Sequence, residues 1–324
     1  MKAICVDPET LKIDWLDVSE PTASPNEVVI DIHATAVNRA DLLQRTGNYP
    51  LPPDSPPYMG LEASGVISEI GKDVTNWQIG DRVCTLLSGG GYAERVASPA
   101  SMLIRVPDNW DFEKAAAVPE VFYTAFLNLF IEGGLTKGET VLIHGGASGV
   151  GTAAIQMAKK AGCHVLVTAG RADKIKFCKE LGADVGVNYK EGNFETAIRE
   201  NAPDGVDVIL DIAAADYLKP NINLLKTSGR LVIIALLTGA KAEINLSILM
   251  RKRLRVIGSV LRPRSLKEKV DLHDRFADKI WPYLISGAIN PIIYKTLPIQ
   301  DADAAHGILE ANENIGKVIL KVRD

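Results

Sequence analysis

Residues 141–151 read VLIHGGASGVG and run directly into TAAIQMAKKAG at 152–162. An apolar strand here enters a glycine-rich turn, and the residues after it have the apolar spacing of an amphipathic helix. A pyrophosphate bound at a helix N-terminus needs backbone N–H groups with no side chain in the way, and glycine supplies that clearance. The strand, turn and helix therefore predict a dinucleotide-binding element.

The glycines of this turn match the dinucleotide fingerprint imperfectly. Against the pattern G-x-G-x-x-G, Gly146 takes the first place, Ser148 the middle place and Gly151 the last, with Gly149 as an additional glycine. The strand before the turn and the helix after it are what the binding mechanism requires, so they favour cofactor binding over a merely tight turn. The residues expected to meet the pyrophosphate are Gly146, Ala147, Ser148, Gly149 and Val150.

The end of the next strand predicts which dinucleotide is bound. The strand His164–Thr168 is followed by Ala169-Gly170-Arg171, and Lys174 lies one helical turn further on. An NAD-binding protein places Asp or Glu at this point to hold the ribose 2′-hydroxyl, and an acid would repel a 2′-phosphate. A small residue with two cations makes room for that phosphate and pairs with it, which predicts NADPH. The alternative is that Arg171 and Lys174 are solvated residues in the first turn of the next helix.

From Thr140 onward, short apolar runs alternate with helical patterns. Runs such as VDVILDI and LVIIALL are typical of strands that are buried on both faces of a parallel sheet. This rhythm predicts a doubly wound sheet of six parallel strands. The predicted strands are Thr140–His144, Val165–Thr168, Val185–Asn188, Val206–Ile212, Arg230–Leu236 and Arg255–Val260.

The chain on either side of this sheet has a different pattern. The first ~120 residues are predicted to be rich in strands and poor in helices, with strands at Glu27–Val37 and Ala63–Gly71. After the sheet we expect a helix over Ser265–Gly287 and a closing strand, Gly316–Val322, which returns to the first domain without further strand-helix alternation. The predicted domains are residues 1–121 with 263–324, and residues 122–262 inserted between them, with the ligand cleft between the two domains.

Composition narrows the classes of function. The 324 residues are 47% hydrophobic and 23% charged, which is typical of a globular protein and excludes disordered and fibrous classes. The formal net charge of −4 gives no basic excess, so we expect no dedicated nucleic-acid surface. No apolar run approaches the ~18 residues that cross a bilayer, and the four cysteines contain no C-x-x-C pair. We expect a cytoplasmic protein without a membrane segment, a disulfide framework or a zinc lobe.

Four further segments carry a resemblance to a known family. They are AVNRADLLQRTGNYP (36–50), GLEASGVISEIG (60–71), GDRVCTLLSGGGYAE (80–94) and NIGKVIL (314–320). Over essentially the whole chain, these segments and the glycine turn resemble the zinc-independent quinone oxidoreductases of the medium-chain dehydrogenase/reductase superfamily. Within that group the chain is most similar to the tumour-suppressor-inducible quinone reductase branch, a relative of zeta-crystallin. The resemblance implies an α/β fold with a GroES-like β-rich catalytic domain and a Rossmann domain.

The metal-binding positions of zinc-dependent relatives are changed in this chain. Those relatives have Cys where this chain has Asn38, and Gly-His-Glu where it has Gly60-Leu61-Glu62. A catalytic zinc needs about three protein ligands of N, S or O type, and these changes remove a thiolate and an imidazole. We expect Glu62 to be left without partners, no structural zinc lobe around Ser98–Val106, and no metal. The cofactor itself would then carry the hydride chemistry.

The resemblance also implies which residues lie beside the nicotinamide. Asn38 and Tyr49 would line the catalytic pocket, Asn38 by hydrogen bonding to the substrate or ribose and Tyr49 by stacking or donating. Asn38 could instead form an Asx turn after its strand, and Tyr49 could be a loop anchor. The Thr124 hydroxyl would contact the nicotinamide end, unless it is an ordinary helix threonine. Further residues expected to bind the cofactor are Leu236, Leu237, Asn314 and Lys317.

Four more positions are interpreted as follows. By resemblance Tyr189 joins Gly170 and Lys174 around the 2′-phosphate and adenine, and the alternative is an exposed tyrosine at a strand end. Arg262 either lies near the mouth of the pocket or is a surface charge. We expect His144 to be a structural hydrogen-bonding residue rather than a base. His306 is expected to have a surface or packing role.

These residues predict an NADPH-dependent quinone reductase that passes hydride, or single electrons, to a small quinone. A quinone accepts hydride at an electron-poor site and its oxygens can be protonated from water, so no strong general acid is required. A second interpretation is an enone, alkenal or enoyl-thioester reductase, for which Tyr49 is the candidate proton donor. A third is a non-catalytic NADPH-binding sensor or a crystallin-like protein.

The last predicted strand of the parallel sheet indicates how the chain assembles. Arg255–Val260 would be a sheet edge with apolar alternate positions. Such an edge is normally covered or paired. We expect a homodimer in which the two copies of this strand pair and join their sheets, and further association into a tetramer is compatible with that interface.

Overall fold

The computed structural model describes residues 1–53 and 55–323. Its chain divides into two compact units. We call Met1–Tyr123 with Arg262–Asp324 the discontinuous unit, and Thr124–Leu261 the inserted unit. The assignment of catalysis to the first and cofactor binding to the second, with the limits 1–121, 122–262 and 263–324, stays a prediction.

Among the described residues, strands outnumber helices before the inserted unit, and the two alternate within it. Before the inserted unit the chain forms β1 (Lys2–Val6), β2 (Ile13–Asp17), β3 (Glu27–Val37), α1 (Arg39–Arg45), β4 (Glu62–Ile70), β5 (Arg82–Leu86), β6 (Arg95–Pro99), β7 (Leu103–Arg105), α2 (Phe112–Ala116) and α3 (Pro119–Phe126). A π-helical stretch, Leu127–Glu132, follows α3. Next come β8 (Thr140–His144), α4 (Gly149–Lys160), β9 (His164–Ala169), α5 (Ala172–Glu180), β10 (Val185–Asn188), α6 (Phe194–Asn201), β11 (Val206–Asp211), α7 (Ala215–Leu224), β12 (Leu225–Ile233), α8 (Leu246–Lys252) and β13 (Arg255–Gly258). The tail forms α9 (Leu266–Lys279), α10 (Trp281–Ile285), β14 (Ile293–Pro298), α11 (Ala302–Glu310) and β15 (Lys317–Lys321).

The inserted unit is built on one parallel sheet. Its strands lie in the order β10-β9-β8-β11-β12-β13, and every neighbouring pair is parallel. The order reverses between β8 and β11, which is the switch point where open α/β sheets bind ligands. Leu142, Leu166, Ile209 and Leu231 on the central strands are fully buried, which explains their continuous apolar runs. The predicted six-stranded doubly wound sheet is confirmed.

The discontinuous unit is built on a mixed sheet dominated by the long strand β3. The strand order is β14-β15-β3-β4-β5-β7, with β6 also paired to β3, while β1 and β2 form a separate antiparallel pair. Val28, Ile30 and Ile32 of β3 are fully buried in a core that reaches β4, β5 and β6. β15 pairs antiparallel with β3, so the tail returns to the first sheet as the sequence predicted.

Two details of the tail were predicted wrongly. The single helix expected over Ser265–Gly287 is two helices, α9 and α10, that meet at Ile280. Pro282 has no N–H to continue the first helix but is tolerated in the first turn of the second. The expected absence of strand-helix alternation was also wrong, because β14 and β15 are parallel neighbours connected through α11.

One apolar stretch has the length of a membrane span. Phe112–Glu132 is long and apolar enough by length and composition, although its sequence contains no uninterrupted apolar run of that size. However, 72% of its apolar window is buried inside the protein. This stretch therefore has the burial of core helices in a folded domain.

Candidate functional site

The glycine turn after β8 has the geometry that is required where two backbone segments lie in close contact. Gly145, which the fingerprint did not single out, has a φ of +69° that favours glycine. A Cβ on Gly151 would lie 2.3 Å from the carbonyl oxygen of Gly145, so α4 packs against the turn only because this residue is glycine. The Ser148 hydroxyl accepts a 3.0 Å hydrogen bond from the Gly151 N–H as the N-cap of α4.

The other predicted turn residues lie in the same place. Ala147 is buried beside the turn, and Gly149 and Val150 are the first residues of α4. The N-terminal N–H groups of this helix point toward the turn, where the helix dipole favours an anion. A pyrophosphate-binding role for these residues stays a prediction.

A group of cations lies at the end of β9. The strand ends at Ala169 with no acidic residue, and a Cβ on Gly170 would lie 2.7 Å from the Tyr189 hydroxyl and 3.3 Å from Cε of Lys190. The chain thus brings Gly170 and Tyr189 together, as predicted from the family pattern. Lys190 was not predicted; its position directly after Tyr189 in the sequence was the available signal.

An acidic residue beside these cations was also missed. Asp173, in the first turn of α5, accepts hydrogen bonds of 3.0 Å from Nε and 2.8 Å from Nη2 of Arg171. The Arg171 guanidinium holds the pKa of the Asp173 carboxyl below its ordinary value. Arg171 is therefore engaged within its own turn, although both side chains of this pair are about half exposed. Its release toward a phosphate must compete with Asp173.

Lys174 lies deeper than its neighbours. Its side chain is 9% exposed, and its pKa is lowered mainly by burial and next by the positive charge of Arg171. The charges of Arg171, Asp173 and Lys190 all act on Lys174, so these four residues lie close together beside Gly170. A 2′-phosphate carries about two negative charges at neutral pH.

The first strand of the inserted unit ends in a buried polar network. The His144 ring lies 3.0 Å from the Thr168 hydroxyl through Nδ1 and 2.8 Å from Oδ1 of Asn221 through Nε2. Asn221 in turn donates to Asp211 at the end of β11. Burial lowers the pKa of His144, which keeps the imidazole neutral. The predicted structural role of His144 is confirmed.

Three other residues expected beside the nicotinamide lie in the inserted unit. Thr124 is 9% exposed, and its carbonyl accepts from Nδ2 of Asn128 in the π-helical stretch. Such π-helical turns occur frequently at functional sites. Leu236 and Leu237 follow β12, which ends at Ile233 rather than at the predicted Leu236, and they are 57% and 52% exposed.

A buried ion pair lies at the start of α1 in the discontinuous unit. Nζ of Lys317 is 2.8 Å from Oε1 of Glu62, and these side chains are 3% and 0% exposed. Nζ also donates to Oδ1 of Asn38 at 2.6 Å and to the carbonyl of Val37 at 3.0 Å. An ammonium has three donors, so Lys317 has none left for a cofactor in this arrangement.

The expectation that Glu62 would have no partners was wrong. Besides Lys317, its carboxylate accepts from Nδ2 of Asn38 at 2.9 Å and from the backbone N–H of Glu120 at 2.8 Å. Nδ2 of Asn38 also donates to the carbonyl of Ala36. Both amide hydrogens of Asn38 are therefore used, and any ligand contact must use the remaining lone pair of Oδ1.

Asn314, also expected to bind the cofactor, donates a hydrogen bond to the carbonyl of Gly316 at 2.7 Å.

A second buried cluster lies beside this pair. The Asp41 carboxylate accepts from the N–H groups of Asn38 and Gly60 and from the Tyr92 hydroxyl, and its burial raises its pKa to about 6. The same hydroxyl is 3.2 Å from Nε2 of His306, which is fully buried and has a pKa lowered to about 4, mainly by burial. His306 therefore has the packing role, not the surface role.

Tyr49 contacts a buried arginine. The guanidinium carbon of Arg262 lies 5.1 Å from the centroid of the Tyr49 ring, and Arg262 is only 5% exposed. The interpretation of Arg262 as a surface charge was therefore wrong. Burial raises the pKa of the Tyr49 hydroxyl to about 12, with a smaller contribution from the negative charge of Glu120. A phenol in this state is a weak acid.

The described residues contain no group of three or more His, Cys, Asp or Glu side chains that could hold a metal ion. In the discontinuous unit, the positions that bind zinc in zinc-dependent relatives hold the Asn38 amide and the apolar Leu61. The neighbouring Glu62 carboxylate is already paired with an ammonium group.

Comparison with known proteins agrees with this architecture. A model described as "Alcohol dehydrogenase GroES-like domain" matches residues 24–108, and one described as "Zinc-binding dehydrogenase" matches residues 149–275. The quinone oxidoreductase of Rattus norvegicus is 33% identical over 316 residues, which cover 97% of this chain and 94% of that protein.

Two solved structures extend the comparison. A mycobacterial protein solved in complex with NADPH has a TM-score of 0.89 and 28% identity, covering 99% of this chain and 100% of its own. The CurK enoyl reductase has a TM-score of 0.84 and 25% identity, covering 99% and 98%. The chain therefore belongs to the medium-chain dehydrogenase/reductase superfamily, together with the mammalian quinone oxidoreductases, and is an oxidoreductase of a family that binds nicotinamide cofactors.

Proposed function

We propose that this protein is an NADPH-dependent quinone reductase that passes hydride, or single electrons, to a small quinone without a metal ion. The observation that carries the cofactor part of the proposal is the group of cations beside Gly170. Arg171, Lys174 and Lys190 bring positive charge to a position where a 2′-phosphate would carry about two negative charges, and the strand before it ends without the acid that would bind a 2′-hydroxyl.

The local structure of this site also fits the cofactor. A Cβ at Gly170 would lie 2.7 Å from the Tyr189 hydroxyl, so the glycine allows Tyr189 to lie directly against the end of β9. Tyr189 is 41% exposed, so its ring is available to an adenine face. The glycine turn and the first residues of α4 would hold the pyrophosphate, as helix N-termini do.

Bound NADPH would supply the hydride. The quinone then gains two electrons and one proton as that hydride, and a second proton from water completes the hydroquinone. On the protein side, Asn38 is held rigid by Glu62 and Lys317 and offers one lone pair of Oδ1 to an N–H or hydroxyl donor. Tyr49 would orient the flat ring, since its hydroxyl, with a pKa of about 12, is a poor proton source.

The donor set near Asn38 supports chemistry without zinc. Lys317 lies within 2.8 Å of Glu62 and 2.6 Å of Asn38, so an ammonium already neutralises the carboxylate. An amide and a paired carboxylate are weak ligands for zinc, which prefers thiolates and imidazoles. Elemental analysis of the purified protein tests this point, and stoichiometric zinc would contradict it.

A second candidate function is reduction of an activated C=C bond, because the CurK enoyl reductase has the same fold. That reaction needs a proton donor near the α-carbon, and Tyr49 is the candidate. Replacing Tyr49 with Phe then reduces enone turnover sharply and spares quinones. Equal effects on both substrates would count against this division of roles.

A steady-state assay with NADPH and 9,10-phenanthrenequinone distinguishes an enzyme from a non-catalytic NADPH-binding protein. The proposal predicts quinone-dependent loss of NADPH absorbance. Absorbance that stays at the blank rate, with NADPH binding demonstrated separately, would leave only the binding-protein interpretation.

We further propose a cytoplasmic homodimer formed through the edge strand β13. Val256 is 39% exposed, and Val260, just after the strand, is 50% exposed. β13 is the last strand of the sheet, and no described strand pairs with its outer edge. Pairing with a second copy would cover this edge. Light scattering at micromolar concentration tests it, and a monomer would contradict the proposal. All four cysteines are unpaired thiols, as is usual in the reducing cytoplasm, and cell fractionation tests that location.

A further inference from the structure

One nitrogen of the Arg262 guanidinium has no partner among the residues that the structure describes. Nε donates to the carbonyl of Ser88 at 2.8 Å, and Nη2 donates to Oε1 of Gln44 at 2.8 Å. Nη1 is buried and has no hydrogen-bond partner in the part of the chain that the structure describes. A buried charged N–H without an acceptor is costly, so such a group is rarely left unused.

A second cation is held at the same place. Nζ of Lys269 on α9 donates to the Ser88 hydroxyl at 2.8 Å, while the carbonyl of Ser88 accepts from Arg262. Ser88 opens the run Ser88-Gly89-Gly90-Gly91, and a Cβ on Gly89 would lie only 2.8 Å from the carbonyl of Pro56. One residue of a closely packed glycine loop therefore fixes both cations.

Neither Arg262 nor Lys269 forms an ion pair with the residues that the structure describes. Burial lowers the pKa of both side chains. The charges of Asp41 and Glu120 oppose that shift at Arg262, and the charge of Glu120 opposes it at Lys269. The two cations are thus held in the discontinuous unit without a direct carboxylate contact among the described residues, and Arg262 lies beside the ring of Tyr49.

We propose that Arg262 binds, through Nη1, the substrate oxygen on which negative charge accumulates during reduction, with Lys269 adding positive charge nearby. This inference rests on the proposed quinone reductase function and names its oxygen-binding residue. Net transfer of a hydride adds two electrons and one proton to a quinone and gives a hydroquinone monoanion, whose negative charge lies on one oxygen; water then protonates that oxygen. A fixed cation stabilises this oxygen more than the neutral carbonyl that precedes it.

The arrangement also suits a planar substrate. Tyr49 lies in a stretch between α1 and β4 that has no helix or strand among its described residues, and its ring covers one face of the guanidinium. A flat conjugated ring can lie beside the tyrosine ring with its oxygen toward Nη1 of the guanidinium. The site therefore selects ring carbonyl compounds whose reduced form is a phenolate.

A pair of non-reacting probes tests the inference by binding alone. The first is 2-hydroxy-1,4-naphthoquinone, an anion at pH 7, and the second is its neutral 2-methoxy analogue. Dissociation constants come from quenching of tryptophan fluorescence, with and without NADP⁺. The wild-type protein should bind the anion at least ~10-fold more tightly than the neutral analogue, because a charge-assisted hydrogen bond forms only with the anion.

Variants then assign this preference to Arg262. Arg262→Met should weaken binding of the anion ~10- to 100-fold and binding of the methoxy analogue only about threefold or less, through loss of one charge-assisted bond. Arg262→Lys keeps the charge but removes Nη1, so we expect a smaller loss. Arg264→Met removes a neighbouring cation that pairs with Glu268 and should change neither constant.

Three results would overturn the inference. They are equal wild-type affinity for both probes, a folded Arg262→Met protein that binds the anion normally, or an equal loss in Arg264→Met. The wild-type comparison holds even if Arg262→Met does not fold. Failure of the proposed function would be seen separately, as an absence of NADPH oxidation with 9,10-phenanthrenequinone, because the probe measurement requires no turnover.

Discussion

Two charged clusters of this protein differ in how their charges and hydrogen-bonding groups are paired within the protein. In the discontinuous unit, Glu62 and Lys317 are almost fully buried, and every donor of the ammonium has an acceptor within the protein. In the inserted unit, Arg171 pairs with Asp173 at a half-exposed position, and Lys174 lies close to the charges of both Arg171 and Lys190.

This difference distinguishes a cluster that positions its neighbours from one that gains by binding a ligand. A cluster that is already neutral and fully hydrogen-bonded holds its neighbours in place and gains little from a ligand. A cluster with surplus charge at a partly exposed site gains a counter-charge when an anion binds. Lys317 therefore fixes Asn38, whereas the cations near Gly170 are proposed to bind a phosphate.

The largest effect is expected from Lys317→Met, which leaves the buried Glu62 carboxylate without its counter-charge. Breaking a buried pair in this way costs about 3–5 kcal/mol of the free energy of unfolding. Urea unfolding followed by circular dichroism measures the loss. The double variant with Glu62→Gln should recover most of it, since no buried charge then remains.

Lys321→Met on the same strand β15 is the matched control. Lys321 is 39% exposed and lies 3.8 Å from Glu113, so its replacement should cost less than about 1 kcal/mol. If Lys317→Met were no more destabilising than Lys321→Met, the buried cluster would not have the structural role assigned to it.

A second test of the buried region uses pH. The folded-state pKa of His306 is about 4 against an ordinary 6.5, so the unfolded chain binds a proton there between these values and the folded chain does not. The contribution of neutral His306 to the free energy of unfolding is therefore complete above pH 6.5 and is lost as the pH falls toward 4. Between pH 7 and pH 5 the loss from His306 is about 2 kcal/mol.

His306→Gln removes this dependence. The free energy of unfolding of the variant, taken relative to that of the wild type, should therefore be about 2 kcal/mol higher at pH 5 than at pH 7. Asp41 acts with the opposite sign, because its pKa is raised to about 6 and the folded chain binds its proton more tightly as the pH falls through 6. Asp41→Asn removes this opposing contribution. The free energy of unfolding of the variant should therefore fall more steeply on acidification than that of the wild type. Parallel pH profiles for all three proteins would exclude titration of this cluster.

In the cationic region, Lys174→Gln should weaken NADPH binding about tenfold, which is about 1.4 kcal/mol, and leave NADH binding unchanged. The reason is that only NADPH carries the phosphate. Lys176→Gln, on the same helix but paired with Glu180, is the control and should change neither constant. A parallel loss for both cofactors would mean that Lys174 supports the fold rather than the phosphate.

The smallest effect concerns the carboxylate that competes for Arg171. Asp173→Asn frees the guanidinium and should tighten NADPH binding about two- to threefold, a small gain because the pair is exposed and screened. Isothermal titration at low salt measures it, with Glu180→Gln as the control. Weaker binding of NADPH by Asp173→Asn would contradict a competition between Asp173 and the phosphate.

Patterns that depend on local spacing gave much of the fold. The apolar runs of β8, β9 and β11 are buried on both faces, so their sequences identify them without knowledge of their partners. The short strand β14 was not found because its residues are mostly exposed and its pairing with β15 spans a helix. The break between α9 and α10 was missed although Pro282 marked it.

The candidate site was harder to predict because its contacts join distant parts of the chain. Glu62 and Lys317 are far apart in sequence, and neither residue type is typically buried, so nothing local indicated their pairing. Asp173 and Lys190, by contrast, lie beside predicted residues and could have been included from charge alone. Burial of Arg262 depended on contacts with Ser88 and Gln44, which no spacing rule connects to it.

The cations near Gly170 are proposed to bind the 2′-phosphate of NADPH. A titration of the wild-type protein with NADPH and with NADH, each followed by the fluorescence of the bound cofactor, tests this directly. We expect NADPH to bind at least ~100-fold more tightly, as for two charge-assisted contacts, and added salt to reduce this ratio. Equal dissociation constants for the two cofactors would contradict it.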